Sequence, residues 1–263
     1  MAIAALVLAL FGGLLVSIEI GRRVGLRRLA KPSAGAGGEA AASGFGVMEG
    51  AVFALLGLLL AFSFSAAAAR FDKRRELIVA EANAIGTAYL RLDLLPAGPR
   101  ASLRQTFGRY LDARLGVYRH IGWLGKGWGI EPEDTARAAA LQNEIWAQLM
   151  AACRLADTPA VPMLLVPAVN EMFDITTTRR AALGAHTPTL ILLLLVVLAL
   201  ACAVLAGHGM ASVESRSWIH VLSFAGILGV SIYVIMDYEF PRHGLIRVDK
   251  WDQLLVDLRS MMP

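Results

Sequence analysis

Residues Glu49–Pro96, EGAVFALLGLLLAFSFSAAAARFDKRRELIVAEANAIGTAYLRLDLLP, decide the fold. From Gly50 to Ala69 the stretch carries no ionisable residue, and it is long enough to cross about 30 Å of hydrocarbon at 1.5 Å per residue. The remainder is charged, yet no proline interrupts it before Pro96. There Phe71, Ile78, Ile85 and Leu92 recur every seven residues, with Ala82 and Tyr89 in the i+4 places. Lys73, Arg74, Glu76, Asn83, Thr87 and Arg91 cover the other faces, which makes this half amphipathic. The pattern predicts one helix from near Glu49 to Asp93, half in lipid and half outside, closed by Asp93-Leu94-Leu95-Pro96.

Three more runs are apolar over a comparable length: Ala2–Ile18, Thr189–Gly207 and Trp218–Met236. The first has no basic region before it and no A-x-A site after it, so it reads as an anchor rather than a cleaved signal peptide. Composition agrees: 57% of the 263 residues are hydrophobic and 17% charged, against about 25% charged in average soluble domains. A soluble chain of this size needs a more polar skin, and here the apolar residues are clumped rather than periodic.

The expected organisation is a first span over residues 1–20, a linker over 21–46, a second span over 47–69, an extramembrane helical domain over 70–187, spans over 188–207 and 218–236, and a tail over 237–263. The linker is basic in GRRVGLRRLAKPS and Gly/Ala/Ser-rich in AGAGGEAAASGFG, a composition that favours flexibility. In the middle domain Leu103, Phe107, Tyr110, Val117 and Ile121 form one apolar face. GWLGKGWGIEPED follows as a Gly-rich loop, and no Ser/Thr follows its lysine as a phosphate-binding loop would require. Pro132, among Glu131, Glu133 and Asp134, starts a helix carrying Leu141, Ile145, Leu149 and Cys153. Thr158-Pro159 starts the next, and no alternating strand pattern occurs. The fold class is all-α: a four-span membrane protein, two spans on each side of a helical bundle in sequence.

Lys and Arg flank the spans unevenly. Arg70, Lys73, Arg74, Arg75, Arg179, Arg180, Arg242, Arg247 and Lys250 adjoin the side bearing the middle domain, and Arg22, Arg23, Arg27, Arg28, Lys31 and Arg216 the other. The larger set favours both termini and the middle domain inside.

Little in the chain suggests catalysis. His120, His186, His208, His220 and His243 are scattered, and Cys153 and Cys202 form no paired motif, so neither a metal nor another cofactor is implied. The net charge of +4 comes without aromatic-basic interleaving, which argues against nucleic-acid binding. A stator-type proton channel needs an ionisable residue at midspan. Glu19, Glu49 and Asp237 lie only at span ends.

The second span is the distinctive one. Gly50, Ala54, Gly57 and Ala61 are small residues at i+3/i+4 spacing, suited to close helix packing. Ala54, Leu58 and Phe62 stack at one-turn steps, followed by Ser63, Ser65 and a cationic collar from Arg70 to Arg75 that includes Arg74. Two interpretations follow: a packing interface with interfacial anchors, or an apolar neck opening onto a basic vestibule in an oligomeric pore. Glu81, Asn83, Asn170, Glu171 and Asp174 interrupt amphipathic faces, as a hydrogen-bond network between two long helices or as a cation site.

The Glu49–Pro96 stretch resembles the signature of the bestrophin-like bacterial membrane family, and VNEMFDITTTRR and FPRHGLIRVD resemble its later landmarks. The chain is more distantly similar to bestrophins proper, pentameric channels mostly for anions with four spans per subunit. That resemblance implies a bestrophin-like fold, a homo-oligomer, permeants such as chloride, and a neck at Ala54, Leu58 and Phe62. Two departures stand out: Ser63-Phe64 replaces a polar Arg-Asn pair, and no acidic run matches the calcium clasp. The leading expectation is an oligomeric channel of the bacterial inner membrane, in contact with lipid, with copies of itself and with inorganic ions. The alternatives are a non-conducting scaffold or sensor, then a stator-type subunit.

Overall fold

The computed structural model describes residues 2–30, 38–119, 122–124, 127–129, 132–156, 158–212, 218–242 and 244–262. Eight α-helices account for nearly all of them: α1 (Ala2–Leu29), α2 (Gly38–Arg91), α3 (Ala97–Arg119), α4 (Pro132–Arg154), α5 (Ala160–Gly184), α6 (Thr189–Gly209), α7 (Trp218–Glu239) and α8 (Asp249–Ser260). The fold is all-α. Within the expected Gly-rich loop lies a minimal antiparallel hairpin, β1 (Gly122–Leu124) against β2 (Gly127–Gly129), in which Trp123 pairs with Trp128. Loop residues 125–126 and 130–131, His120, Ile121, His243 and the 213–217 connection with Arg216 lie outside the described residues.

Helix α2 is unbroken over 54 residues, about 80 Å at 1.5 Å per residue. It begins earlier than the sequence pattern suggested, because GEAAASGFG is rich enough in alanine to stay helical. Likewise α1 continues through the basic segment to Leu29. The expected linker thus keeps only residues 31–37 outside these helices, and those are not among the described residues.

The chain divides into two compact units. The first comprises Met1–Ala69 and His186–Phe240, the second Arg70–Ala185 and Pro241–Pro263. Among the described residues, α1, α2, α6 and α7 have the length and apolarity to cross a membrane. Their outer faces carry Leu8, Leu190, Ile219, Ile227 and Val230, each more than 60% exposed. Apolar surface on that scale requires a lipid or protein covering.

Within the first unit α1 and α6 run side by side in the same direction. A Cβ on Gly21 would collide with the Val204 carbonyl, one on Gly25 with Ala211, and one on Gly207 with the Ile18 carbonyl. Glycine is therefore required at this seam, where two backbones touch. The expected small-residue face of α2 behaves differently: nothing lies within 4 Å of a Cβ on Gly50 or Gly57. Leu14, Ile18, Leu195, Ala199, Val221 and Ala225 fill the interior.

The second unit has an ordinary bundle core. Phe71, Ile78, Ile85 and Leu92 are all buried, as are Leu103, Phe107 and Tyr110 on α3 and Ile145 and Leu149 on α4. Each fully buried Leu, Ile or Phe contributes about 1.5–3 kcal/mol relative to exposure. Residues 237–263 are more than a tail, since α8 inserts Leu255 into this core and Arg259 makes two hydrogen bonds to Asp112, at 2.8 and 3.1 Å.

Candidate functional site

Two places concentrate chemistry: the uncovered face of α2 in the first unit and a buried ion cluster in the second. On α2, Leu56, Ser63 and Ala67 are buried at 3%, 7% and 0% exposure. At 3.6 residues per turn they lie about 140–180° from Leu58. Ala54, Leu58 and Phe62 are exposed, Leu58 by 52% and Phe62 by 63%. Phe53 and Phe64 hold the helix from its flanks, edge-on to Phe224 at 6.0 Å and to Tyr238 at 5.5 Å.

This placement sorts the sequence candidates. Ser65 is exposed and continues the Ala54–Leu58–Phe62 stripe. Ser63 does not: one residue after Phe62, it is turned about 100° onto the packed side. Arg74 is likewise no part of an open vestibule. It is 5% exposed, and its guanidinium donates to the carbonyls of Ala182 at 3.2 Å and Ala185 at 2.7 Å. These bonds satisfy the C-terminal end of α5, where carbonyls lack helical partners and the helix dipole favours a cation. Arg70 is half-buried. Lys73 pairs with Glu76 at 3.3 Å and Arg75 with Asp72 at 3.0 Å, and Arg75 also stacks 4.5 Å over the Trp251 ring. Two of the collar's four cations, Lys73 and Arg75, are therefore paired with its own two acids.

At the end of α7 Glu239 is buried, receiving the Thr187 hydroxyl at 2.6 Å and lying 3.5 Å from His186 Nδ1. The contact ties the entry of α6 to the exit of α7.

The polar set Glu81, Asn83, Asn170, Glu171 and Asp174 is not one network. Only Glu81 points inward, fully buried. Asn83, Asn170, Glu171 and Asp174 are exposed, because each falls on the solvent side of its amphipathic helix. No group of three or more metal-binding side chains occurs among the described residues.

Glu81 instead meets Arg114 and Tyr118, which no sequence pattern marks, and Arg179, which the sequence marks only as a cation near a span. Its carboxylate accepts from Arg114 Nε at 2.6 Å, from the Tyr118 hydroxyl at 3.0 Å and from Arg179 Nη1. The Arg179 guanidinium stacks 3.6 Å over the Tyr118 ring and lies 3.5 Å from Asp252, which in turn is 2.8 Å from Arg242. Burial pushes the Glu81 carboxyl up, but the Arg179 and Arg114 guanidiniums outweigh it and hold the group below its ordinary value. Burial raises the Tyr118 phenol, and the Glu81 charge raises it further. Tyr110, mainly through burial, is pushed up to about 12. One signal was available: Glu81 sits at i+3 from Ile78 and i−4 from Ile85, inside the apolar stripe. A carboxylate there must find buried cations.

Residues 45–251 match the family model of the bestrophin-like domain. No curated protein and no solved structure matches the chain. The matched segment runs from the start of the apolar stretch of α2 to the first turn of α8, most of the chain, so this is a membrane protein of the bestrophin-like family.

Proposed function

We propose that the chain is one subunit of a homo-oligomeric ion channel, pentameric, in the bacterial inner membrane with both termini and the second unit inside. The uncovered face of α2 supports this reading. It is opposite the packed face and presents Ala54, Leu58, Phe62 and Ser65 in one stripe. Brought together around an axis, such stripes form an apolar neck that gates by dewetting, with Phe62 the narrowest ring. In this reading the permeants are inorganic anions such as chloride, and the chain has no catalytic role. Reconstitution in planar bilayers tests it: the wild type is expected to conduct and Phe62→Ala to conduct more. Absence of current from both at every voltage contradicts it.

A second reading draws on the partly neutralised collar. With Lys73 and Arg75 paired to their own acids and Arg74 turned inward, the helix offers a weaker positive field to attract anions than its run of basic residues suggests. A non-conducting scaffold has no need of such a field. Mass measurement in detergent separates the two: a monomer or dimer supports the scaffold, and a larger ring supports the channel.

A further inference from the structure

We propose that the second unit binds a small oxyanion, a carboxylate or phosphate group, in the cavity between α3, α4 and α5. The cavity has a volume of about 160 Å³, room for one small anion or a few waters at roughly 30 Å³ each. Its polar lining comes from Arg114 and Tyr118 on α3, Thr135 and Gln142 on α4, and Thr176, Thr177 and Arg180 on α5, and among the described residues no carboxylate lines it.

Charge and donor geometry both favour an anion. Arg179 has both Glu81 and Asp252 as carboxylate partners, whereas Arg114 has Glu81 and no second carboxylate partner among the described residues. The Asp134 carboxylate, on the first turn of α4, lies against the Gly116 position instead. Arg180 is exposed and makes no ion pair among the described residues, so its guanidinium is available for bidentate contact with an oxyanion. Gln142 donates only long bonds, 3.3 Å to the Tyr110 hydroxyl and 3.4 Å to Thr176. Both are near the outer limit of hydrogen bonding, so the amide can turn to a ligand at small cost. Thr177 lies one turn before Arg180 on the same helix and supplies a hydroxyl. A cation finds no acidic ligand here, and an apolar ligand would cover the Arg180 guanidinium and the Thr177 hydroxyl without offering either a partner.

The site goes beyond conduction and is tested without it. The full chain, purified in detergent, is titrated calorimetrically with inorganic phosphate and separately with acetate, ionic strength being held constant with chloride. Saturable binding of at least one anion is expected. Stronger binding of phosphate points to phosphate esters as the natural ligands, and stronger binding of acetate to carboxylates. Arg180→Gln should weaken it about tenfold or more, the worth of one charge-assisted hydrogen bond. Thr177→Val should weaken it about threefold, and Arg137→Gln, an exposed α4 arginine outside the lining, should leave it unchanged. Both binding variants alter exposed side chains, so the fold should survive them. Absence of saturable binding of either anion, or an equal loss in Arg137→Gln and Arg180→Gln, overturns the proposal.

Discussion

The two units of this chain are held together in different ways. In the first, α1 and α6 touch backbone to backbone through Gly21, Gly25 and Gly207, and the interior is aliphatic. In the second, aromatic and aliphatic side chains surround Glu81, Arg114, Arg179 and Tyr118, four polar groups sealed from solvent. The contrast follows from the solvent each unit faces. In lipid, apolar burial gives helices no reason to associate, so close contact between small residues must supply the attraction. In water, apolar burial drives assembly, and a buried ion cluster persists if its hydrogen bonds are complete.

The largest effect that would sharpen this contrast is expected at Glu81. Glu81→Gln leaves the buried Arg114 guanidinium without its counter-charge and Arg179 with Asp252 alone, and should destabilise the second unit by about 3–5 kcal/mol, read by thermal or denaturant unfolding in detergent. Replacing Glu81, Arg114 and Arg179 together with Leu and Met should restore most of that loss, because a well-packed apolar set carries no desolvation cost.

The same cluster sets the response to acid. A carboxyl whose folded value is depressed stabilises the fold above its unfolded value, near 4.5 for Glu81, and that stabilisation is lost as pH falls through the folded value. Stability should therefore hold from neutral pH to about pH 5 and decline below it. Glu81→Gln should flatten that decline.

In the first unit Gly207→Leu should cost about 1–3 kcal/mol or more by prying α1 from α6, seen as a lower melting temperature in detergent. If the substitution were neutral, the glycine seam would not be what joins these helices. Smallest of all should be Leu58→Ala. Its side chain is half exposed in the single chain, so monomer stability should change by less than about 0.5 kcal/mol.

Much of this was legible in the sequence, for reasons that differ by residue. Pro132 and the acids around it mark the start of α4 because N-terminal signals are local. The heptad from Phe71 to Leu92 marks a buried face because periodicity is local too. Partner choice is not local. Glu81 could be recognised as out of place on its stripe, but Arg114 and Arg179 lie 33 and 98 residues away, and no short-range pattern connects them. The glycine seam carried a signal, Gly21-x-x-x-Gly25, hidden by the arginines inside it, which made that segment resemble a linker. Ser63 and Arg74 lie close to Phe62 in sequence, whereas helical phase turns them about 100° and 120° away from it, onto packed sides.

The central claim is that copies of α2 face one another across an axis. Cysteine cross-linking between chains in native membranes tests it most directly, with Cys153 and Cys202 first replaced by alanine or serine. Phe62→Cys is expected to give cross-linked oligomers on oxidation, and Leu56→Cys, on the packed face, none. Equal cross-linking at both positions, or none at either Phe62 or Leu58, would contradict the account.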